Sequence, residues 1–522
     1  MSDLTVAEKQ EKAAVDTQAY RNSSVEGDAD KTVLKHELGY EPEDHLQRNR
    51  SLLTLLFQSL AIAAIPYGEG GPLLSAIYGG GQLSIFLGWI IVCILNECVA
   101  VSLAELASRW PTSAGPSYWS FQLLDPKSNA RVLAAYATGW TWIIGNITIA
   151  LSVNFGFASL ISATASLFHP DWTASSWQLL LIFYAICLGT LLVCALFNRH
   201  LPLVDTFCAA FTLVTIFVCL IALSAKADVG RHSAAYALGH YDKSLAGYGG
   251  FTWFIGLLPA AYTFSAIGMI SSMAEECRDA AVKLPQAISL CVPVGGLAGI
   301  FFILPICFTL PPLEDIVNNS GGQALPYIFD SVMGSPGGGL GLIVLVLFVT
   351  AFCSISITVA ASRATWAFAR DDAMPGARWL GKVNSKLGVP LWSLALVTLV
   401  QMLLGLINLG STSAFTAFVS VGVIALNLSY VIPIATSMAK GRTEVAKARF
   451  RCPTPVGWIV NSISVIWIFF ELVLFSMPTA LPVTATSMNY ASVVLVGLGS
   501  IALAWYFIHA RRTYNGPPEA QS

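Results

Sequence analysis

Twelve separate stretches of mostly apolar residues run through this chain, each long enough to cross a hydrocarbon core of roughly 30 Å as a helix, and they decide its solvent before anything else. They lie near 52–78, 83–106, 131–162, 176–198, 202–225 and 251–274, then near 288–311, 339–369, 389–409, 412–438, 457–477 and 489–509. Charged residues make up 11% of the chain, against roughly 25% in an ordinary soluble domain. The expected fold class is an all-α integral membrane protein with twelve transmembrane helices.

Loop charges test that count. If residues 1–50 are cytosolic, the inner loops receive Arg109, Lys127, Arg131, Arg199, Arg278 and Lys283, the run from Arg363 to Lys386, the cluster from Lys440 to Arg451, and Arg511 with Arg512. The outer loops receive only Lys226, Arg231 and Lys243. A miscounted span would have swapped sides and blurred this asymmetry, so both termini are expected in the cytosol. The basic runs need no nucleic acid to explain them. Residues 1–50 are polar, with no apolar signal core, and read as a disordered cytosolic tail; residues 510–522 read as a cytosolic C-terminal tail. Eleven scattered cysteines give no disulfide framework and no metal site, and no cofactor is expected. The sequon Asn318-Asn319-Ser320 falls in an outer loop, which makes Asn318 a candidate for glycosylation.

Two spans carry helix breakers. IPYGEGGP (65–72) packs Pro66, Gly68, Gly70, Gly71 and Pro72 around Glu69, and five spans later Gly256, Pro259 and Gly268 interrupt span 6. Non-helical backbone survives at membrane depth only where it lines a cavity or is buried in protein. Interruptions at matching places in two halves point to a transporter built from inverted repeats, here 51–225 and 251–438. The unwound stretches are expected at residues 66–71 and at Tyr262, Thr263, Phe264 and Ser265. The simpler alternative is a pair of packing kinks.

The segments SLAELASRWPTSAGPSYWS (102–120), MAEECRDAAVKLPQAI (273–288) and ASRATWAFARDDAMPG (361–376) resemble the fungal amino-acid/choline transporter branch of the amino acid–polyamine–organocation superfamily. The resemblance covers nearly all of the chain after residue 50. It implies the LeuT-type fold, with spans 1–5 and 6–10 as inverted repeats and spans 11 and 12 (457–509) peripheral, and usually proton-linked transport of amino acids, GABA, choline or similar amines. Gly80-Gly81-Gln82 resembles a Gly-Gly-Pro motif and puts Tyr67, Gly68, Glu69, Gly70 and Gly71 in the substrate segment. Trp142 to Ile147 resembles the span-3 stretch of a bacterial arginine/agmatine antiporter, which makes Asn146 a substrate candidate. In span 6 the branch often has Gly-aromatic-Asp where this chain has Ala266-Ile267-Gly268, so the usual acid is missing.

Glu69 is therefore expected to supply the site carboxylate and couple a proton to substrate; the alternative is a cap on free N–H groups. Glu97 in span 2 is the second proton-coupling candidate, against a buried hydrogen bond, while Glu471 in span 11 reads as a helix contact. Tyr262 or Phe264 is expected to gate the substrate. Glu275, Glu276, Arg278 and Lys283 are expected to form surface ion pairs at the inner gate, each worth under about 1 kcal/mol.

These features favour a secondary active transporter of a small amine-bearing solute, with protons and membrane lipids as its other partners. The alternative is a non-transporting nutrient sensor of the same fold. An enzyme is not expected, since no His-rich cluster and no G-x-S-x-G appear. The plasma membrane is the expected location, with the vacuolar membrane as the alternative. Exact cargo, direction of transport and oligomeric state stay open.

Overall fold

The computed structural model describes residues 35, 38–40, 48–128, 130–169, 172–410, 414–484 and 487–519. Among the described residues, twelve helices are long and apolar enough to span a membrane. Spans 1 to 6 are Leu52–Gly70, Gln82–Arg109, Ala130–Phe168, Ser176–Leu196, Asn198–Lys226 and Gly249–Glu276. Spans 7 to 12 are Ala280–Thr309, Pro336–Arg370, Leu391–Leu409, Ala417–Ala439, Thr454–Leu474 and Ala491–Thr513. The expected count holds. Span 7 begins eight residues before its apolar stretch, because the amphipathic turns around Lys283 and Pro285 bury Leu284, Ala287 and Ile288.

Burial separates centre from periphery. The most apolar part of span 6 is 94% buried inside the protein, and that of span 12 only 11%. Span 3 packs most heavily on spans 10 and 8, whereas span 2 packs on span 7, and span 1 lies against spans 5 and 7. Spans 1, 2, 6 and 7 thus face a second group formed by 3, 8 and 10.

Span 1 breaks earlier than its glycines suggested. Pro66 has no N–H to give the carbonyl of Ile62, and its ring would clash with that carbonyl in a continuous helix. The first helix accordingly stops at Ala63, Ala64 turns left-handed (φ 42°, ψ 53°), and Pro66 opens a new short helix, Ile65–Gly70. The expected unwound segment 66–71 is instead mostly helical. The Cys353 thiol of span 8 donates to the freed Ile62 carbonyl, 3.2 Å away. A second break at Gly71-Pro72 leads to the helix Leu73–Tyr78.

Span 6 is broken by a different device. Pro259 opens the helix Leu258–Ser265, which gives way to ten residues of 3-10 helix, Ile267–Glu276. Such runs seldom exceed three or four residues. Ser271 and Ser272 hydroxyls donate to the carbonyls three residues back, those of Gly268 and Met269. Gly268 is needed because a Cβ there would lie 2.6 Å from the Tyr430 ring of span 10. Tyr262 to Ser265 therefore form the last helical turn before the break rather than the break itself.

Candidate functional site

The two broken spans meet at Gly68. A Cβ on that residue would lie 2.8 Å from Thr263 Oγ1 and 2.5 Å from the Ala63 carbonyl oxygen, so no larger residue lets the helices approach this closely. Beside this contact lies a small buried cavity whose walls include Ala63, Tyr67, Tyr262 and Thr263 from the broken spans. Span 3 contributes Ile149 and Val153, and span 8 contributes Cys353 and Ile357. Only about 10 Å³ is open to a water-sized molecule, which is room for roughly one water. An amine of even a few heavy atoms needs the walls to move.

The polar groups on the wall are few and directed. Tyr262 and Ser152 share a hydrogen bond of 2.8 Å between their hydroxyls. The Tyr67 hydroxyl donates towards the carbonyls of Ser152 and Val153, at 3.5 and 3.4 Å. Thr263 Oγ1 donates to the Pro259 carbonyl at 2.9 Å. Hydroxyls and a thiol surround a mostly apolar space, with no formal charge on the wall. Sites that fix a small ligand combine an apolar lining with a few placed polar groups in this way.

The sequence candidates fall into two sets. Tyr67, Gly68, Tyr262 and Thr263 line the cavity. Phe264 does not: it is buried against Trp89 of span 2, with ring centroids 5.3 Å apart, and so faces away from the expected gate. The Ser265 hydroxyl is occupied by the Tyr262 carbonyl. Gly70 abuts Leu325, and Gly71 abuts the Tyr67 ring, so both serve packing. Asn146 lies one turn from Ile149, its amide donating to the Trp142 carbonyl at 2.8 Å, and its Oδ1 is buried without a partner.

Glu69, on the same short helix as Tyr67 and Gly68, does not line the cavity. It is 2% exposed, and its Oε2 has no hydrogen-bond partner among the described residues. It neither reaches the cavity wall nor shows a capping bond from Oε2. Glu97 Oε2 is also buried and unpartnered. Glu471 accepts a 2.8 Å hydrogen bond from Asn427 of span 10, as its reading as a helix contact requires.

Below the cavity the chain is locked by ions. Glu276, at the end of span 6, accepts from Arg50 at 3.1 Å and from Arg363 of span 8 at 2.9 Å. Arg50 also reaches Asp205 of span 5 at 3.1 Å, and Glu275 holds Arg370 through two bonds of 2.8 and 2.9 Å. These are not the surface pairs expected from sequence, since the Arg50 and Arg363 side chains are each 1% exposed. Arg278 stands apart and donates to the Arg48 carbonyl. The 3-10 segment carries both glutamates inward, Glu275 to Arg370 and Glu276 to the site where Arg50 and Arg363 offset the charges of Asp205 and Glu276.

Asn318 is exposed near the end of the helix Leu313–Asn319, while Ser320 of the same sequon is buried. The cavity residues from spans 3 and 8, Ile149, Val153, Cys353 and Ile357, were not foreseen. Those spans contain no breaker near them, and apolar wall residues carry no mark that separates them from core.

Residues 52–498 match the family described as "Amino acid permease". The chain is similar to an amino-acid permease of Arabidopsis thaliana, at 30% identity over 93% of this chain and 96% of the relative. It is likewise similar to an uncharacterized amino-acid permease of Schizosaccharomyces pombe, at 32% identity over 94% of this chain and 90% of the relative. A choline transporter of Saccharomyces cerevisiae is 27% identical over 94% of this chain and 86% of its own length.

Proposed function

The chain belongs to the amino acid permease family, and from that premise we propose that it carries a small amine-bearing solute across a membrane by alternating access, driven by protons. The observation that carries this reading is the meeting of two broken helices at Gly68 and Thr263, beside a buried cavity at membrane depth. Helix ends freed by such breaks present partial charges of about half a unit. They can hold an ammonium or a carboxylate without ionised side chains. Relatives named for amino acids and for choline share an ammonium group in their cargo, which fits hydroxyls and freed carbonyls rather than a phosphate site.

Substrate is held between Tyr67, Gly68, Tyr262 and Thr263, with the Tyr262 ring closing over it. The nearly closed cavity and the ion-locked inner end support a cycle in which the Glu276 and Glu275 pairs open to release cargo to the cytosol. Glu69 is the coupling carboxyl. It is buried, unpartnered, and on the same short helix as the cavity residues Tyr67 and Gly68, so gain or loss of a proton there changes the packing of the helix that lines the cavity. Coupling is then transmitted through that helix rather than by direct competition with the ligand. Both tails face the cytosol, and the plasma membrane is the proposed location.

Uptake of labelled GABA, choline, and neutral and basic amino acids into proteoliposomes, with and without an inward proton gradient, tests this reading. Wild-type protein is expected to concentrate at least one amine only when the gradient is present. Glu69→Gln is expected to abolish that accumulation while exchange of internal for external substrate continues. Gradient-driven accumulation by Glu69→Gln at the wild-type level would remove Glu69 from the mechanism. A wild-type protein that binds an amine but moves none would favour a sensor.

A further inference from the structure

A short piece of each tail is packed against the inner end of the spans. In the N-terminal tail, Leu38 and Tyr40 are 2% and 4% exposed. The Tyr40 hydroxyl donates to Asp371, directly after span 8, at 3.1 Å, and the Arg370 guanidinium lies over the Tyr40 ring, 3.9 Å from its centre. Arg370 is the residue that holds Glu275 of span 6 through two bonds. The same three residues are fixed to the helix Pro116–Leu123, which follows span 2. There the Tyr118 hydroxyl donates to the Leu38 carbonyl at 3.0 Å, and the Tyr118 and Tyr40 rings are 5.7 Å apart.

The C-terminal tail lies on top of this contact. Gln122 Nε2 donates to the Pro518 carbonyl at 2.9 Å, and Glu519 pairs with Arg131 of span 3 at 2.7 Å. Pro518 in turn rests on Gly39: a Cβ there would lie 2.9 Å from Pro518 Cβ and 3.0 Å from the Glu519 carbonyl oxygen. Gly39 also has φ +75°, a conformation that favours glycine. The two tails therefore interlock at Gly39, one residue from the ring that covers Arg370.

We propose that residues 38–40, held in place by Pro518 and Glu519, are a latch on the inner gate, so that the protein's own tails restrain release of cargo to the cytosol. This deepens the alternating-access reading above and rests on it. The Arg370–Glu275 pair joins span 8 of one helix group to span 6 of the other, so the groups cannot part at the inner end until it breaks. An ion pair is strong only while water is kept from it. Tyr40 over the guanidinium, with the Trp366 ring 4.6 Å away, does this and leaves the Arg370 side chain 14% exposed. Lifting Tyr40 admits water to the pair and removes a cation–π contact from Arg370. Leu38, Gly39 and Tyr40 carry no charge, so the latch can leave its seat without stranding an ion of its own, as a reversible device requires.

Full-length protein in inside-out membrane vesicles tests the latch. The impermeant thiol reagent methanethiosulfonate ethyltrimethylammonium then reaches Cys353 on the cavity wall only through the inner gate, and non-reducing peptide mass mapping gives its rate of modification. Tyr40→Ala is expected to raise that rate about tenfold, through loss of the cation–π contact and the hydrogen bond to Asp371. Tyr40→Phe keeps the ring over Arg370 and is expected to raise it less. Glu519→Arg sets a like charge against Arg131 without altering a gate residue, and is expected to raise the rate in the same direction. Glu471→Ala, a destabilising change in span 11, is expected to lower the melting temperature and leave the Cys353 rate at the wild-type value, which separates unlatching from loss of stability.

Glu275→Gln, which weakens the gate pair itself, distinguishes failure of the latch from failure of the reading beneath it. Faster modification in Glu275→Gln beside wild-type rates in Tyr40→Ala and Glu519→Arg would overturn the latch alone. A wild-type rate in Glu275→Gln as well would refute an inner gate at this pair, and the latch with it. Should Tyr40→Ala fail to fold, a wild-type rate in Glu519→Arg gives the same refutation.

Discussion

Gly68→Ala probes the contact on which the site is built. The added Cβ would sit 2.5 Å from the Ala63 carbonyl oxygen, 2.8 Å from Thr263 Oγ1 and 3.0 Å from Thr263 Cγ2. The first of these is roughly 1 Å short of ordinary contact. A Thr263 rotamer could yield, but a backbone carbonyl at a helix break cannot move without moving the helix. Two effects compete: alanine in place of helical glycine gains up to about 1 kcal/mol, while overpacking a tight site costs about 1–3 kcal/mol. The clash wins by about 1–2 kcal/mol against the closed arrangement, which lowers its population relative to an open one by about 5–30-fold.

The assay is initial uptake in proteoliposomes, with Gly189→Ala of span 4 as control, since a Cβ there meets nothing within 4 Å. Gly68→Ala should slow uptake by that factor and Gly189→Ala should not. Adding Thr263→Ala should recover part of the loss, because two of the three clashes disappear and the carbonyl clash stays. Wild-type uptake by Gly68→Ala would refute the claim that spans 1 and 6 close against each other here.

Further predictions concern the inner face and the membrane acids. Arg50→Ala strands Asp205 and leaves Glu276 with one arginine, and breaking a buried pair of this kind costs about 3–5 kcal/mol; thermal unfolding in detergent should show a correspondingly large drop. Glu471→Gln can still accept from Asn427, so its transport and melting temperature should match wild type, whereas Glu471→Ala should lose about 1–3 kcal/mol of stability. Burial raises the Asp371 pKa to about 7, although Arg370 beside it and the hydrogen bond from the Tyr40 hydroxyl pull the other way. Because the folded pKa lies above the unfolded value of 3.8, folded protein binds more protons across that interval, and stability falls as pH rises from about 4 to 7. Asp371→Asn should flatten that part of the melting-temperature profile.

The architecture was legible because hydropathy and loop charge are both summed over many residues. Twelve spans and two interrupted ones survive any single misreading. The position of the break was not, because the glycines after Pro66 drew attention downstream, whereas the backbone fails upstream, at the carbonyl that proline leaves without a donor. Which face of the short helix meets the cavity was equally hidden. Tyr67 and Glu69 are two residues apart, so they point to different sides, and only Tyr67 lines the cavity. The ionic lock was misjudged for a related reason: the 3-10 geometry that carries Glu275 and Glu276 inward depends on serine hydroxyls and on Tyr430 packing over Gly268. Composition alone does not report such contacts.

The central claim is that an amine passes through the cavity between spans 1, 3, 6 and 8. Cys353 is a wall residue whose thiol can be followed individually by peptide mass mapping. Its alkylation rate in proteoliposomes, with and without a saturating transported amine, tests the claim most directly. The account predicts that the amine slows modification of Cys353 and leaves that of Cys452, outside the membrane spans, unchanged. Equal modification of Cys353 with and without the amine would contradict it and place the route of transport elsewhere in the protein.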